Sequence, residues 1–434
     1  MSAGDAPIEP DHPPSSASPT RLFRSRSYRG LWTGTFASSL GASVAGVTFA
    51  WLVFSSTHNA LAVTVLGVSN FVPSLSIGLI AGALADRYER RRLMIVADVV
   101  RAGAVGLLAL SLVLLGFSLL LTLVVVLVVS AMGALFRPAS NALLPQILPG
   151  DDLADANGLL LTGMTGGGFF GSAVAGLLIV TVGVASDFSL NALTYVVSAA
   201  MVAFVVLPPV RRTSAPAARD RLSLLAEVRE GLAYVRGVPA LLYTILASLV
   251  ANFFLAFFFI YLVIFVPEVL HGDSVVFGLL VAANSIGYGI GALAVGRLGA
   301  VRHTGLVYIF GWAVVGLLIV ELPLVPSSAA ALASVSAIGV LSGIANTTYT
   351  ACVQRTVPGE LLGRFFSIDE VGSFAVIPLG QVAGGLLIVS VGISPVFLLA
   401  GAGTAASAIV LLFSREARRL AYPPRTTAPV RPKT

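Results

Sequence analysis

The chain has 434 residues, of which 57% are hydrophobic and 11% charged, against about 25% charged in an ordinary soluble domain. Mean hydropathy is +0.95 over the whole chain. Even compact soluble domains leave much of their surface to water, so a soluble enzyme or a nucleic-acid module is excluded as the main body. The formal charge of +6 rests on arginine, because Lys433 is the single lysine. A Walker A loop needs a Lys beside Ser or Thr after a glycine run, so this chain is not by itself an ATP-driven pump. Cys352 stands alone, and His12, His58, His271 and His303 are scattered. No internal disulfide, metal cluster or cofactor is expected.

Residues 1–20 are rich in Pro, Ser and Asp and read as a disordered cytoplasmic tail. No charged segment followed by a short apolar run and a small-residue cleavage site opens the chain, so no removable signal peptide is expected. Residues 415–434 are Arg- and Pro-rich and read as a second disordered tail. Between the tails lie long apolar runs, and about 20 such residues make a helix that crosses a bilayer. The predicted spans are 30–54, 61–85, 93–115, 118–141, 154–182, 187–207, 239–266, 275–298, 305–325, 328–352, 364–390 and 394–413. Gly116 and its neighbours are the only turn signal between the third and fourth.

Cytoplasmic loops collect arginine. With both termini cytoplasmic, the arginines of 21–29, 87–92, 211–236 and the C-terminal segment all fall inside, as do Arg137, Arg297, Arg302, Arg355 and Arg364. Asp187, Glu268, Asp273 and Glu321 fall near the external face. A multi-pass protein of the plasma membrane is expected, surrounded by lipid.

The chain also repeats itself at one offset, 209 residues. Gly82-Ala-Leu-Ala recurs from Gly291, Pro149-Gly150 recurs as Pro358-Gly359, and Gly171 recurs as Gly380. The run Gly176-Leu-Leu-Ile-Val recurs from Gly385, and Val182-Gly183 recurs as Val391-Gly392. The predicted architecture is therefore all-α: twelve transmembrane helices in two six-helix pseudo-repeats, 21–207 and 239–414. The joint, 208–238, opens with Pro208, Pro209 and Arg211. Within it, Leu222, Leu225, Val228, Leu232 and Val235 recur three or four apart, as in a surface helix. That helix either lies at the membrane interface or docks a partner. Parallel six-helix repeats are a transporter architecture in which the halves rock about a midplane site.

The loop after the second span reads Gly82-Ala-Leu-Ala-Asp86-Arg87-Tyr-Glu89-Arg90-Arg91-Arg92. It resembles the loop motif of the major facilitator superfamily, with Glu89 where the family usually has Gly. Phe136-Arg137-Pro138-Ala139, Leu144-Pro145, Ala156-Asn157, Gln354, Val357-Pro358 and Gly363-Arg364 resemble the branch containing macrolide efflux proteins and the enterobactin exporter. Gly78 and Gly82 form a small-xxx-small pair that lets a neighbouring helix approach. The resemblance implies that Asp86 and Arg87 close a cytoplasmic gate against the eleventh helix. Arg87, Arg90, Arg91 and Arg92 would pair there with Asp369 and Glu370 in one state only. Arg90, Arg91 and Arg92 alternatively serve only as topology anchors.

Asp98 and Arg101 lie three apart on one face of the third span. They form either a structural ion pair or part of a coupling site, for which Glu321, Asp369 and Glu370 are the other candidates. Gly167, Gly171, Gly176, Gly380 and Gly385 mark close helix packing. Exporters of the superfamily carry a Gly-Pro motif in the fifth helix, and Ser172 stands here in place of that Pro. Phe36, Trp51, Asn252, Phe253 and Phe257 are candidates for an aromatic cargo cavity. The expected function is secondary transport by alternating access: a monomeric, proton-coupled exporter of a drug-like or siderophore-like small molecule, with no nucleic-acid partner. An uptake carrier on the same fold, and a membrane sensor or enzyme, are the alternatives.

Overall fold

The computed structural model describes residues 19–148, 152–207, 221–298 and 303–420. The expected tails at 1–18 and 421–434, and the linker residues 208–220, lie outside the described residues. Every long element among them is a helix. Hydrocarbon offers no water to an open backbone N–H or C=O, so each must be bonded within its own helix. The first half comprises α1 (Arg26–Thr57), α2 (Ala60–Arg87), α3 (Arg90–Leu114), α4 (Leu119–Ile147), α5 (Leu153–Val182) and α6 (Val184–Ala203). A linker helix (Arg221–Gly237) leads to α7 (Pro239–Val269), α8 (Ser274–Leu298), α9 (Thr304–Glu321) and α10 (Ser328–Thr356). They are followed by α11 (Gly359–Phe374 and Ile377–Val391) and α12 (Ile393–Val410).

Among the described residues, ten of these units are long and apolar enough to cross a membrane. The other two, α2 and α6, stand where the sequence places the second and sixth spans. Leu107, Val113, Leu120, Leu177, Val180 and Val389 project outward, where a soluble protein would carry charge. At the doubtful boundary, Gly116 takes a φ of +82° and separates α3 from α4. Ser118 then caps α4, its hydroxyl accepting from the Leu121 N–H at 3.4 Å.

The sequence repeat reappears as geometry. Shifted by 209, Leu119 and Ile147 at the ends of α4 fall on Ser328 and Thr356, the ends of α10. Gly183 joins α5 to α6 at φ +79°, and its counterpart Gly392 joins α11 to α12 at φ +80°. A left-handed backbone between two helices requires glycine at both places. In the first half α1 packs on α5 and α6, α2 on α4, and α3 on α4 and α6. In the second half α7 packs on α11 and α12, α8 on α10, and α9 on α10 and α12.

The most extensive contacts between the halves are two that are equivalent under the same repeat, α5 with α8 and α2 with α11. A methyl added at Gly176 would lie 2.6 Å from the Gly278 Cα. On the other side, Gly385 lies against the hydroxyls of Thr64 and Tyr261. Thr64 and Tyr261 share a 2.7 Å hydrogen bond across the halves, and the Tyr261 hydroxyl also donates to the Gln381 carbonyl. Trp51 of α1 stacks on Phe277 of α8 with ring centres 6.2 Å apart. All these contacts lie toward the ends of the helices remote from the chain termini.

One expectation is corrected. The eleventh span is not one continuous helix: it breaks at Ala375 and Val376. Pro378 lacks an N–H, and its ring would clash with the Phe374 carbonyl one turn earlier. Short helical turns lie at the inner edges of the two expected tails. Pro19–Leu22 is a helical turn, and Leu22 is fully buried. Arg415–Arg418 is helical, Ala417 is buried, and the Gly305 N–H donates to the Leu420 carbonyl at 2.9 Å.

Built on the Gly385 backbone, a Cβ lies 3.1 Å from the Thr64 Cβ, within reach of a disulfide if either residue yields slightly. With Cys352→Ser as background, the pair Thr64→Cys and Gly385→Cys is expected to crosslink under mild oxidation. After protease cleavage within 208–220, the halves should then stay joined on a non-reducing gel. Free halves would contradict the α2–α11 contact.

Candidate functional site

The charges predicted in α3 sit in two layers. Arg90 donates to the Ala142 carbonyl of α4 at 3.1 Å, and Arg91 donates to the carbonyl of Ala203, the last residue of α6. An arginine at a helix C-terminus satisfies a carbonyl with no intrahelical donor and complements the dipole there. Arg92 pairs with Glu89 at 2.6 Å on the surface. These three arginines are thus engaged within the first half. Asp369 instead receives the Tyr349 hydroxyl at 3.4 Å, and Glu370 is exposed on α11. The backbone of Gly78, Gly82, Asp86 and Arg87 is helical, but their side chains lie outside the described residues.

Two turns deeper, Asp98 and Arg101 form a buried pair at 3.2 Å, Asp98 being 0% and Arg101 5% exposed. The Ser38 hydroxyl of α1 donates to Asp98 Oδ1 at 3.0 Å and accepts from Arg101 Nη1 at 2.9 Å. Arg101 Nε donates to the Val129 carbonyl of α4 at 3.3 Å. The guanidinium carbon stands 5.4 Å from the ring centres of both Phe136 and Tyr195. One cation therefore ties α1, α3, α4 and α6 together. A buried pair of this kind is held by its neighbours, and removal of one partner costs about 3–5 kcal/mol.

Arg101 also borders a cavity of about 260 Å³ between α1, α2, α4 and α7. Its walls include Phe49, Leu66, Val126 and Ile260, with Asn70 and Ser130 as further polar groups. Ser130 donates to Asn70 Oδ1 at 2.5 Å.

The sequence places Asp187 near a membrane face, but the structure buries it completely. Asp187, Asn191, Tyr195 and Ser198 line the face of α6 that is turned to α1 and α3. Thr48 donates to Asp187 Oδ2, Asn191 Nδ2 donates to the Gly41 carbonyl at 2.5 Å, and Ser198 donates to the Gly34 carbonyl at 2.7 Å. Asp187 Oδ1, Asn191 Oδ1 and the Tyr195 hydroxyl have no hydrogen-bond partner among the described residues. This row runs from the first turn of α6 to the Asp98–Arg101 pair. Its spacing of four, four and three residues is the legible signal, since those positions share one helix face.

The remaining candidates fall elsewhere. Glu321 receives the Ser334 hydroxyl at 2.5 Å at the end of α9. Asp369 belongs to a second-half cluster in which Tyr308 lies 5.4 Å, ring to ring, from Tyr349 and shares a 2.7 Å hydrogen bond with Ser248. Gly167, Gly171 and Gly380 lie directly against the carbonyls of Phe36, Leu40 and Phe253. Phe36 stacks on Trp32 at 5.5 Å, and Phe253 packs edge-on to Phe257 at 5.3 Å. Phe257 is buried against Gly384, and Asn252 is half-buried on α7. Phe36, Trp51, Asn252, Phe253 and Phe257 are absent from the walls of the cavity beside Arg101.

Comparison with known proteins bears on what this fold does. The model of the family described as "Transmembrane secretion effector" matches residues 16–422. Macrolide efflux protein A of Streptococcus pyogenes is 23% identical over 90% of this chain and 96% of its own. Multidrug efflux pump Tap of Mycolicibacterium fortuitum is 26% identical over 88% of this chain and 93% of its own. Among solved structures, the nucleoside transporter NupG superposes with a TM-score of 0.68 at 12% identity, covering 89% of this chain and 98% of its own. A bacterial homologue of the lysosomal transporter Spinster, in an inward-facing and unoccupied conformation, gives 0.62 at 16% identity, covering 93% and 97%. These last two likenesses concern the fold alone. The match over nearly the whole sequence makes this chain a multi-pass membrane transporter, not an enzyme, and a member of the transmembrane secretion effector family of the major facilitator superfamily.

Proposed function

We propose that the protein is a proton-coupled exporter of drug-like or siderophore-like small molecules, working by alternating access as a monomer in the plasma membrane. Both termini are cytoplasmic, because the arginine-rich ends and loops then share one side. The observation that carries the mechanism is the pair of symmetry-equivalent contacts between halves, α5–α8 and α2–α11, both remote from the termini. In this orientation they close the external side, and the conformation described opens to the cytoplasm. Rocking the halves breaks the Thr64–Tyr261 bond and brings the cytoplasmic ends together. There the loop motif, with Asp86 and Arg87, meets α11. Efflux as the direction rests on the kinship with proteins named as macrolide and multidrug efflux pumps.

Coupling centres on the first half. Asp98 holds Arg101 at the cavity wall, and the row Asp187, Asn191 and Tyr195 leads to that pair from the external end. Buried polar atoms without protein partners are where internal waters bind. Such waters would pass a proton along the row toward Asp98. The second half has Val307 and Phe310 at the positions equivalent to Asp98 and Arg101, so the duplication supplies the hinge and not the charge.

Everted membrane vesicles from a strain lacking its own pumps, incubated with a panel of drugs, test the function. Accumulation should follow an imposed proton gradient and stop when an ionophore collapses it. Accumulation indifferent to the gradient would point to a facilitator. Asp187→Asn and Asp98→Asn should each reduce gradient-driven accumulation to the ionophore level. Asp187→Asn should leave exchange of labelled cargo intact, which separates coupling from folding. Full coupling in both variants would remove these acids from the mechanism. Asp86→Ala should abolish transport while leaving the protein in the membrane; normal flux would dismiss the gate.

A further inference from the structure

The wall of the cavity constrains the chemistry of the cargo. Among its described lining residues there is no carboxylate; the charged group is Arg101, and Asn70 and Ser130 are polar. The guanidinium is pinned on one side: Nη1 by Asp98 and Ser38, and Nε by the Val129 carbonyl. Nη2 has no hydrogen bond among the described residues. It stands over Gly133, where an added Cβ would lie 2.6 Å from it. Glycine at that position leaves room for the guanidinium edge at the cavity, which Gly133 also lines.

Resting on the transporter reading above, we propose that this cavity recognises the oxygen headgroup of an uncharged or anionic cargo, with Arg101 Nη2 as donor, and selects against cations. The remaining walls are mostly small and aliphatic, with Phe49, so the bound portion is an apolar body that carries a carboxylate, carbonyl or similar acceptor. The volume lies just under the usual range for small-molecule sites, roughly 300–1,000 Å³. The cavity therefore seats one fragment of a large cargo and not the whole. A charged donor in a low-dielectric wall forms a hydrogen bond about twice as strong as a neutral one. Asp98 partly cancels that charge but does not line the cavity, so an ammonium group at the wall meets the guanidinium and no carboxylate among the described residues. Phe310 occupies the equivalent of Arg101 in the second half, so the cargo binds with its oxygen end toward the first.

Three probes with one naphthalene core test this: 2-naphthoate, 2-naphthamide and 2-naphthylmethylammonium, measured by equilibrium dialysis against the purified full chain in lipid nanodiscs. The naphthoate and the amide should bind at least about tenfold more tightly than the ammonium probe, a difference of one charge-assisted hydrogen bond. Gly133→Ala crowds Nη2 while leaving both residues of the Asp98–Arg101 pair in the sequence. It should weaken the naphthoate and the amide about tenfold while leaving the ammonium probe unchanged. Arg101→Lys keeps the charge but shortens the reach, and should weaken them likewise if the alanine variant does not fold. Equal binding of all three probes, tighter binding of the ammonium probe, or no binding of any probe would overturn the proposal. So would variants that weaken all three alike or none. Transport of the panel drugs in vesicles is read separately. Its failure would overturn the transporter reading, while the probe preference stands or falls in dialysis.

Discussion

Apolar side chains inside a bilayer gain little by leaving lipid for protein, so helices there are held by close backbone packing and by polar contacts. That constraint runs through the whole structure. Where α1 crosses α5, Gly167 and Gly171 lie against the carbonyls of α1. Where α7 crosses α11, Gly380 does the same against Phe253. The halves meet where Gly176 faces Gly278 and where Gly385 faces Thr64. Interfaces built from small residues separate and re-form without large side chains having to repack, which suits surfaces that must slide or part.

Within this duplicated frame the polar chemistry is one-sided. The first half holds the Asp98–Arg101 pair, the row on α6 and all the described walls of the cavity but Ile260 of α7. The second half holds the Tyr308–Tyr349–Asp369 cluster, on different elements. Gene duplication accounts for matching helix ends and for the two left-handed glycines. Val307 and Phe310 stand at the positions equivalent to Asp98 and Arg101, so the duplicated fold does not itself require those charges. Burial of ionisable groups at membrane depth is costly, and those that persist there commonly serve transport or coupling.

Much of the fold was legible in the sequence, because hydropathy and the 209-residue repeat are both properties of the linear chain. Gly183 and Gly392 show this: matched letters became matched backbone conformations. The break in α11 was equally legible from Pro378, but the long apolar run around it hid the signal. The site was harder to read. Asp98 and Arg101 stood out as a charged pair on one face, but their third partner, Ser38, is sixty residues away and has no sequence signature. Asp187 looked like a loop acid because it lies at the start of a helix, and only the packing of α6 on α1 buries it. The aromatics of α7 are frequent enough to suggest a cavity, yet Phe257 and Phe258 are consumed by packing. The walls that do line the cavity are mostly small and aliphatic residues, a composition shared by every span.

The central claim is that the two bundles move as units, with one side of the membrane opening as the other closes. Paired spin-label distances at both ends of α5 and α8 test it most directly. One pair is Val180 with Leu279, the other Leu161 with Leu293, all four exposed. In Cys352→Ser protein in nanodiscs, lowering the pH or adding a transported drug should change the two distances in opposite directions between two recurring populations. Distances that stay fixed at both ends, or that lengthen together, would contradict rocking about a central site.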